Sequence, residues 1–348
     1  MSNASPLVSI ILPCRNEQEH IATCLESILM QESPPGDFEV IVADGMSDDG
    51  TREIVQQFAK RDQRLRLIDN PKGIVSTALN IALLIARGNI IVRMDAHTQY
   101  ASDYVRQCVE VLHETNADNV GGPWVAQGRG SLGRAIATAF QSPFAAGGGR
   151  AHNPTYEGIV DTVYLGCWPR EIFERIGLFD EELVRNQDDE FNLRLARAGG
   201  KIWQSPRIRS WYSARSSVSA LFRQYTQYGY WKVRVIQKHK LPASVRHLIP
   251  AGLTLSLIIL TPAYFFSSLA ANVWWLIVAT YSLSVLLVSL FTGGAREWKL
   301  IPFLLVVFPC FHFGYGYGFL RGFLNLILRR DFAISYTQLT RTSTGDLP

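Results

Sequence analysis

The stretch that decides the fold is Phe38-Glu39-Val40-Ile41-Val42, an apolar run that leads directly into Ala43-Asp44-Gly45. Two other runs have the same form: Leu7–Leu12 leads into Pro13-Cys14-Arg15-Asn16-Glu17, and Asn89–Val92 leads into Arg93-Met94-Asp95-Ala96-His97. Short runs rich in β-branched residues are typical of a parallel sheet that is buried on both faces. Segments with helical periodicity separate the runs, so the pattern indicates βαβ units in an α/β fold. Ligands of such sheets bind beyond the carboxyl ends of the strands, which predicts a site for a polar ligand near Asp44 and Asp95.

Charge is distributed unevenly along the 348 residues, although the formal net charge is only +4. No long basic run occurs, so nucleic acid is not an expected partner. Residues 248–295 and 300–320 contain no Asp, Glu, Lys or Arg. Because a membrane span needs about 20 apolar residues, the C-terminal third is predicted to be membrane-embedded. Spans are expected near 248–266 and 273–291, whereas the segment 301–328 can span, bend or lie in the interface.

These patterns predict three regions along the chain. Residues 1–240 form a nucleotide-binding α/β domain, residues 241–330 form a membrane domain with two or three spans, and residues 331–348 form a polar tail. The first apolar run is too short for a signal peptide and has no basic flank. Basic residues also precede the first span, in agreement with the positive-inside tendency. We therefore expect a multi-pass protein of the cytoplasmic (inner) membrane whose α/β domain is cytoplasmic.

Two acidic strand ends carry the expected chemistry of the site. A carboxylate at Asp44, between the small residues Ala43 and Gly45, can accept a hydrogen bond from a ribose hydroxyl or a uracil N–H. Asp95 and His97 are two residues apart, so in an extended segment both side chains can face one cation. Carboxylate and imidazole together suit Mn²⁺ or Mg²⁺, and the imidazole favours Mn²⁺. In the alternative interpretation, Asp95 caps the following helix and His97 is a buried, hydrogen-bonded side chain.

A third acidic cluster is Gln187-Asp188-Asp189-Glu190, which precedes a helical pattern containing Phe191 and Leu195. Acids at a helix N-terminus ordinarily cap the helix and complement its dipole. In the functional interpretation, one of these acids protrudes into the cleft as a general base for a hydroxyl nucleophile.

An aromatic and basic stretch, Arg223 to Lys232, lies just before the membrane segment. Trp and Tyr in this position are typical of an interfacial belt. The same side chains, with Gln227, Tyr230 and Trp231 in the centre, can instead bind an acceptor. The two interpretations are compatible.

Taken together, four motifs resemble those of inverting family 2 glycosyltransferases with the GT-A fold. They are Pro13-Cys14-Arg15-Asn16-Glu17, Asp44-Gly45-x-Ser47-x-Asp49-Gly50-Thr51, Asp95-x-His97 and Asp188-x-Glu190-x-Asn192-x-Arg194. The resemblance covers about residues 6–240. Within that family, the Asp-Ala-His form and the short membrane tail resemble the ExoA-like, succinoglycan-type exopolysaccharide transferases.

The resemblance implies roles for individual residues. Pro13, Asn16 and Glu17 would line the nucleoside pocket, and Asp44 would contact the base or ribose. Asp95 would hold the metal on the donor diphosphate, with His97 in the place where a second Asp is usual. Asp188 matches the catalytic base, and Asp189 is its rival.

The function implied is transfer of a hexose, glucose in the first instance, from a UDP-sugar to a lipid-linked saccharide acceptor in exopolysaccharide synthesis. A polyprenyl-phosphate sugar synthase or a processive polysaccharide synthase is the nearer alternative. The processive motif Gln-x-x-Arg-Trp is only partly met by Gln227-x-x-Tyr230-Trp231. A catalytically silent membrane scaffold that binds sugar nucleotides is the alternative of another class.

Overall fold

A computed structural model of the chain describes residues 7–32, 37–240, 244–294 and 297–329. The polar tail predicted for 331–348 lies outside the described residues. The described chain divides into two compact units, one formed by residues 7–125 and 150–213 and the other by residues 126–149 and 214–329. The boundary predicted after residue 240 stays a prediction.

Short strands and helices alternate in the first unit, and the strands and helices of both units have the following bounds. The strands are β1 Val8–Cys14, β2 Phe38–Asp44, β3 Leu65–Asp69, β4 Ile90–Arg93, β5 Thr98–Tyr100, β6 Asn119–Gly122, β7 Val125–Gln127, β8 Gly158–Ile159, β9 Tyr164–Pro169, β10 Ile202–Gln204 and β11 Ser210–Ser213. The helices are α1 Ile21–Leu29, α2 Thr51–Arg61, α3 Val75–Ile85, α4 Tyr104–Thr115, α5 Gly130–Phe140, α6 Pro143–Ala146, α7 Glu171–Ile176, α8 Gln187–Arg197, α9 Val218–His239, α10 Ile249–Ala263, α11 Ser268–Gly294 and α12 Ile301–Ile327.

The central sheet of the first unit has the strand order β3-β2-β1-β4-β9-β6-β10-β8. Strands β1 to β4 are mutually parallel where they pair, as predicted from their apolar runs. Strand β9 is antiparallel to both of its neighbours, β4 and β6. The mixed, mostly parallel α/β class predicted from the sequence is confirmed. All residues of β1, β2 and β4 are buried, because helices cover both faces of this part of the sheet.

The core of this unit also fixes the position of α8. Phe191 and Leu195 on α8 are completely buried. The Phe191 ring lies 5.8 Å from the Trp168 ring of β9 and 4.6 Å from that of Phe179, centroid to centroid. This apolar face anchors the helix, so the acidic N-terminus of α8 has a defined place.

The second unit is helical. Three of its helical segments are long and apolar enough to cross a membrane: Val245–Ala263, Ser268–Gly294 and Trp298–Ile327. The segment whose course the sequence left open, 301–328, is one long helix, α12, with Pro309 inside it. Glycines allow α12 to approach the backbone of α9: a Cβ at Gly318 would lie 1.9 Å from the carbonyl oxygen of Thr226.

Candidate active site

Asp44 ends β2 with a completely buried carboxylate. The Ser47 hydroxyl donates to its Oδ1 at 2.5 Å, and the Ser47 amide donates to Oδ2 at 3.0 Å. Arg52, in the first turn of α2, donates to Asp44 Oδ2 and to Asp69 Oδ1, each at 2.7 Å. The hydrogen bonds that Arg52 donates to Asp69 and Asp44 raise the pKa of Arg52, so its guanidinium stays protonated between the ends of two neighbouring strands. Asp44 is therefore held by the protein itself, and its contact with a base or ribose stays a prediction.

The loop after β1 is joined to the loop after β2 by hydrogen bonds. Asn16 has a left-handed φ of 52°, a conformation that Asn tolerates better than most residues. The backbone N–H of Asn16 donates to Ser47 Oγ at 2.9 Å, and the backbone N–H of Glu17 donates to Thr51 Oγ1 at 2.8 Å. Pro13 is buried in β1, where it pairs with Ala43. The residues predicted to line a nucleoside pocket thus lie beside the Asp44 loop.

Arg93 is the feature of this site that sequence reasoning missed. It is the last residue of β4, and its side chain is only 6% exposed. Its Nε and Nη2 atoms donate to the two carboxylate oxygens of Asp95 at 3.0 and 3.1 Å. The remaining nitrogen, Nη1, is buried without a hydrogen-bond acceptor among the described residues and lies 3.9 Å from Asp188 Oδ2. One guanidinium therefore faces both the predicted metal ligand and the predicted base.

The charge on this arginine follows from its neighbours. Burial disfavours the charged form, but the nearby carboxylates of Asp95 and Asp188 outweigh that effect and raise the pKa of Arg93. The signal in the sequence was the spacing, since Arg93 and Asp95 are two residues apart at the end of one apolar strand. A charged residue at the end of a buried strand needs a partner, and the carboxylate two residues later is within its reach.

The acidic residues at the start of α8 differ in how far their side chains are buried. Glu190 is 4% exposed and forms an ion pair with Arg194 at 3.0 Å, so it belongs to the helix framework. The Asp188 side chain is 43% exposed. Its Oδ1 accepts a hydrogen bond from the Asp189 amide at 2.9 Å, which is a helix-terminus contact of the ordinary kind. Asp188 thus satisfies a terminal amide and also presents its second oxygen toward Arg93.

His97 lies beside Glu17. The His97 Nδ1 atom is 3.4 Å from Glu17 Oε1, and the imidazole side chain is 25% exposed. Its ring also meets that of Tyr212 edge-on at 5.4 Å. The structure therefore brings His97 and Glu17 together, and it separately brings Asp95 and Asp188 together through Arg93.

The divalent cation implied by the resemblance would have few protein ligands. Within the described ranges, no group of three or more His, Cys, Asp and Glu side chains is arranged to hold a metal ion. A smaller set suffices when substrate phosphates supply other ligands. Asp95, whose two oxygens also accept from Arg93, and His97 stay the predicted members of that set. A carboxylate beside Nδ1 is the usual companion of a metal-binding imidazole, so Nε2 would be the ligand atom of His97 in the predicted site.

The residues predicted to lie on the acceptor or membrane side, Gln227, Tyr230 and Trp231, are 4%, 0% and 1% exposed. The Tyr230 hydroxyl accepts a hydrogen bond of 2.7 Å from Asn325 Nδ2 of α12. These side chains pack within the second unit rather than on an open aromatic surface. A direct role in acceptor binding therefore stays a prediction, and their burial argues against it.

Comparison with known proteins places the chain in a family. The pattern of glycosyl transferase family 2 matches residues 9–177. The succinoglycan biosynthesis protein ExoA of Rhizobium meliloti (strain 1021) is 30% identical over 320 residues, which cover 91% of this chain and 94% of that protein. The chain belongs to glycosyl transferase family 2. It is a glycosyltransferase, as its motifs predicted.

Two further proteins resemble this family 2 glycosyltransferase over most of its length. One is the dolichyl N-acetyl-alpha-D-glucosaminyl phosphate 3-beta-D-2,3-diacetamido-2,3-dideoxy-beta-D-glucuronosyltransferase of Methanococcus voltae. It is 26% identical, and the match covers 91% of this chain and 97% of that one. The solved structure of the mannosyltransferase PcManGT from Pyrobaculum calidifontis, in complex with GDP-Man and Mn²⁺, superposes with a TM-score of 0.58. That match covers 88% of this chain and 86% of PcManGT at 21% identity, and it shows the fold, which is GT-A as predicted.

Proposed function

We propose that this chain is a membrane-anchored, inverting hexosyltransferase. It moves a hexose, glucose in our proposal, from a UDP-sugar to a lipid-linked saccharide acceptor in exopolysaccharide synthesis. The Rhizobium relative is a succinoglycan biosynthesis protein, which supports the polysaccharide part of this proposal. The dolichyl-phosphate-linked substrate in the name of the Methanococcus relative supports a lipid-linked acceptor.

The observation that carries the proposal is the position of Arg93 between two carboxylates. Its guanidinium pairs with Asp95 and approaches Asp188 to 3.9 Å. A transferase must hold a donor diphosphate beside the group that deprotonates the acceptor. In our assignment Asp95 belongs to the donor side and Asp188 to the acceptor side, and one buried arginine sets the distance between them.

Asp188 is the general base in this assignment, and its exposed carboxylate can reach a bound hydroxyl. It takes the proton of the acceptor hydroxyl while that oxygen forms a bond to the anomeric carbon. On the opposite face of the sugar, the bond from the anomeric carbon to the diphosphate oxygen breaks, and the nucleoside diphosphate leaves with the electron pair. A single displacement inverts the anomeric centre. Asp189 is the rival for the base, and it is next to Asp188 in the same turn.

Asp95 and His97 would hold a divalent cation, Mn²⁺ or Mg²⁺. When bound, such an ion stabilises negative charge that develops on the departing diphosphate. Arg93 orients the Asp95 carboxylate, and Glu17 orients the His97 ring by lying 3.4 Å from Nδ1. Asp95→Ala is expected to abolish the part of UDP binding that depends on Mn²⁺, and equal Mn²⁺-dependent binding in this variant would contradict the assignment.

The nucleoside side of the pocket is assigned to Pro13, Asn16, Glu17 and Asp44. These residues lie in, or directly after, the adjacent strands β1 and β2. Cys14, Ser47 and Arg52 already supply four donors to the two oxygens of this buried carboxylate. A base or ribose would therefore contact Asp44 by displacing one of them, the long 3.6 Å contact from Cys14 Sγ first.

In this proposal the first unit, which contains the candidate active site, acts at the cytoplasmic face of the cytoplasmic membrane. The C-terminal helices anchor the protein there. The three long apolar segments support the anchoring.

The test is transfer and donor hydrolysis by the purified full-length protein in lipid. A panel of UDP-, GDP- and dTDP-hexoses is assayed with and without Mn²⁺. We expect turnover of one UDP-hexose that requires a divalent cation and yields a product of inverted anomeric configuration. Retention of configuration, or turnover of a GDP-sugar alone, would contradict the proposal.

A further inference from the structure

Charge is divided between the two compact units of the fold. The described residues of the first unit include 19 Lys and Arg residues and 27 Asp and Glu residues. Those of the second unit include 12 Lys and Arg residues and a single acid, Glu297. With His neutral, the formal charges are −8 and +11. The second unit is therefore strongly basic, although the formal charge of the whole chain is only +4.

The fold collects this positive charge from two separate parts of the chain. No Asp or Glu occurs in residues 119–156, and Glu297 is the only one in residues 191–330. Both parts meet in the second unit, where the Phe140 ring of α5 lies 6.1 Å from the Phe311 ring of α12. Arg134 of α5 pairs with Glu297 at 3.1 Å. The described residues of this unit thus offer no second carboxylate to the other cations.

In the second unit, α9 and the C-terminal half of α12 pack side by side in the same direction. Gly318 of α12 faces the backbone of Thr226 on α9, and Gly322 faces that of Tyr230. The residue numbers rise together along the contact, so the two helices are parallel. Their carboxyl ends therefore lie next to each other.

Cations cluster toward this shared carboxyl end. Four exposed basic residues, which we call the basic surface, are Lys238 and Lys240 at the end of α9 and Arg321 and Arg329 toward the end of α12. A cation in the last turn of a helix ordinarily complements the helix dipole. That effect is confined to the last turn, so it does not account for Arg321, which lies more than one turn before the end of its helix.

The surroundings of the basic surface are apolar. Lys240 comes just before the long apolar segment Val245–Ala263, so the cations adjoin the first candidate span. Phe323 and Ile327 of α12 lie between Arg321 and Arg329 and are 49% and 61% exposed. Basic residues beside exposed apolar ones are typical of a helix that lies in a membrane interface. Clusters of four or more Lys and Arg residues next to a span are typical of binding to anionic lipids.

We propose that the basic surface binds the phosphate headgroups of anionic bilayer lipids such as phosphatidylglycerol. The lysines and arginines bind phosphate oxygens, and Phe323 and Ile327 contact the acyl chains. The charge of the second unit selects a lipid with a net negative charge over zwitterionic phosphatidylcholine. This inference does not depend on which sugar is transferred or to which acceptor.

The lack of acids distinguishes this proposal from the positive-inside tendency alone. That tendency depends on Lys and Arg in the loops, and Asp and Glu contribute little to it. It therefore leaves unexplained why the second unit has almost no acids. Binding to an anionic surface explains the lack, because each carboxylate near the headgroups would be repelled by their phosphates.

The test measures binding of dioctanoyl phosphatidylglycerol to the full-length protein in a neutral detergent. Dioctanoyl phosphatidylcholine and glycerol 1-phosphate are measured in parallel, the first without net charge and the second without acyl chains. One variant removes three cations of the basic surface: Lys238→Gln, Lys240→Gln and Arg329→Gln. UDP binding and thermal unfolding check that each variant is folded.

The matched control removes three exposed cations from helix ends of the first unit: Lys60→Gln, Arg61→Gln and Arg197→Gln. Both triple variants lower the net charge by the same amount and remove cations from carboxyl ends of helices. A difference between them therefore reports the location of the charge.

We expect phosphatidylglycerol to bind about tenfold or more tightly than either comparison ligand, and its binding to weaken as salt is added. The basic-surface variant should bind it about tenfold or more weakly than the wild type, and the control variant as well as the wild type.

Equal binding of phosphatidylglycerol and phosphatidylcholine to the wild type would overturn the inference, and this comparison needs no variant. Binding of glycerol 1-phosphate as tight as that of phosphatidylglycerol would indicate a site for a free phosphate. Unchanged binding in the basic-surface variant, or an equal loss in the control variant, would also overturn the inference.

Discussion

At the scale of single residues, a buried arginine organises the candidate active site. Arg93 uses two of its three nitrogens on Asp95 and points the third at Asp188. Asp95 retains 15% exposure in its side chain, so it remains reachable for a ligand while its orientation is fixed. The protein thus holds two acids of the site through one side chain.

Arg93→Met should impair both folding and catalysis. It leaves Asp95 without its buried partner, which should lower the free energy of unfolding by about 3 kcal/mol. Loss of the positive charge should reduce transfer by about 100-fold or more. Arg93→Lys keeps the positive charge but cannot donate to both oxygens of Asp95 as a guanidinium does, so its stability and activity should lie between those of the wild type and Arg93→Met. The measurements are thermal unfolding in one detergent and initial rates of transfer.

Arg106→Met is the control for that experiment. Arg106 also bridges two carboxylates, Glu32 and Glu110, but on an exposed surface, where ion pairs contribute little. Wild-type stability and activity in Arg93→Met, or equal losses in the two variants, would contradict the role assigned to Arg93.

The residue-scale predictions from sequence were strongest where local spacing decides geometry. Asp44, Asp95 and Asp188 were selected because each follows a buried strand or begins an anchored helix, and each lies at such a place. The pairing of Arg93 with Asp188 could not be predicted, because the two residues are distant in sequence and meet only through the packing of α8. The roles of all these residues stay predictions.

At the scale of elements, the apolar runs in the sequence predict the strands that are buried on both faces to within one or two residues. The runs ending at Val42 and Val92 correspond to β2 and β4 with end shifts of one or two residues. The antiparallel insertion of β9 between β4 and β6 was not predictable, since its pairing depends on contacts far along the chain. The aromatic stretch on α9 was ambiguous for another reason: aromatic composition does not distinguish a helix that faces lipid from one that faces another helix.

The contact between α9 and α12 makes a prediction about glycine. Gly318→Ala places a Cβ 1.9 Å from the Thr226 carbonyl oxygen, whereas a Cβ at Gly252 of α10 meets nothing within 4 Å. Both substitutions gain the same helix propensity, so their difference isolates the contact. We expect Gly318→Ala to be less stable than Gly252→Ala by about 1–3 kcal/mol. Thermal unfolding of the two variants in the same detergent measures this difference, and equal melting temperatures would show that the helices are not in close contact.

At the scale of the whole molecule, the membrane arrangement depends on α12. The segments Val245–Ala263 and Ser268–Gly294 are mostly exposed and apolar, as expected of a pair of spans. The C-terminal half of α12 instead packs along α9, which carries Arg223, Lys232, Arg234 and Lys238. Charges of this kind are costly in the hydrocarbon region, so we expect this part of α12 to lie at the interface.

A reporter fused after the last residue tests that expectation. If two segments span and α12 does not complete a third crossing, the reporter and a second one fused ahead of residue 1 lie on the same side of the membrane. Basic residues at the end of α12 would then also obey the positive-inside tendency. Reporters on opposite sides would contradict this arrangement and would indicate three complete spans.

The measurement that tests the central claim most directly compares Asp188→Asn with the wild type in two assays, sugar transfer and UDP-sugar affinity. As a general base on the acceptor side, Asp188 should be required for transfer, with a loss of roughly 100-fold to 10,000-fold, while the affinity for the donor stays within about twofold. Asp189→Asn is the matched control and should retain most of the activity. A donor affinity that falls as far as the transfer rate would make Asp188 a binding residue, and an Asp189→Asn variant that alone loses transfer would identify Asp189 as the base.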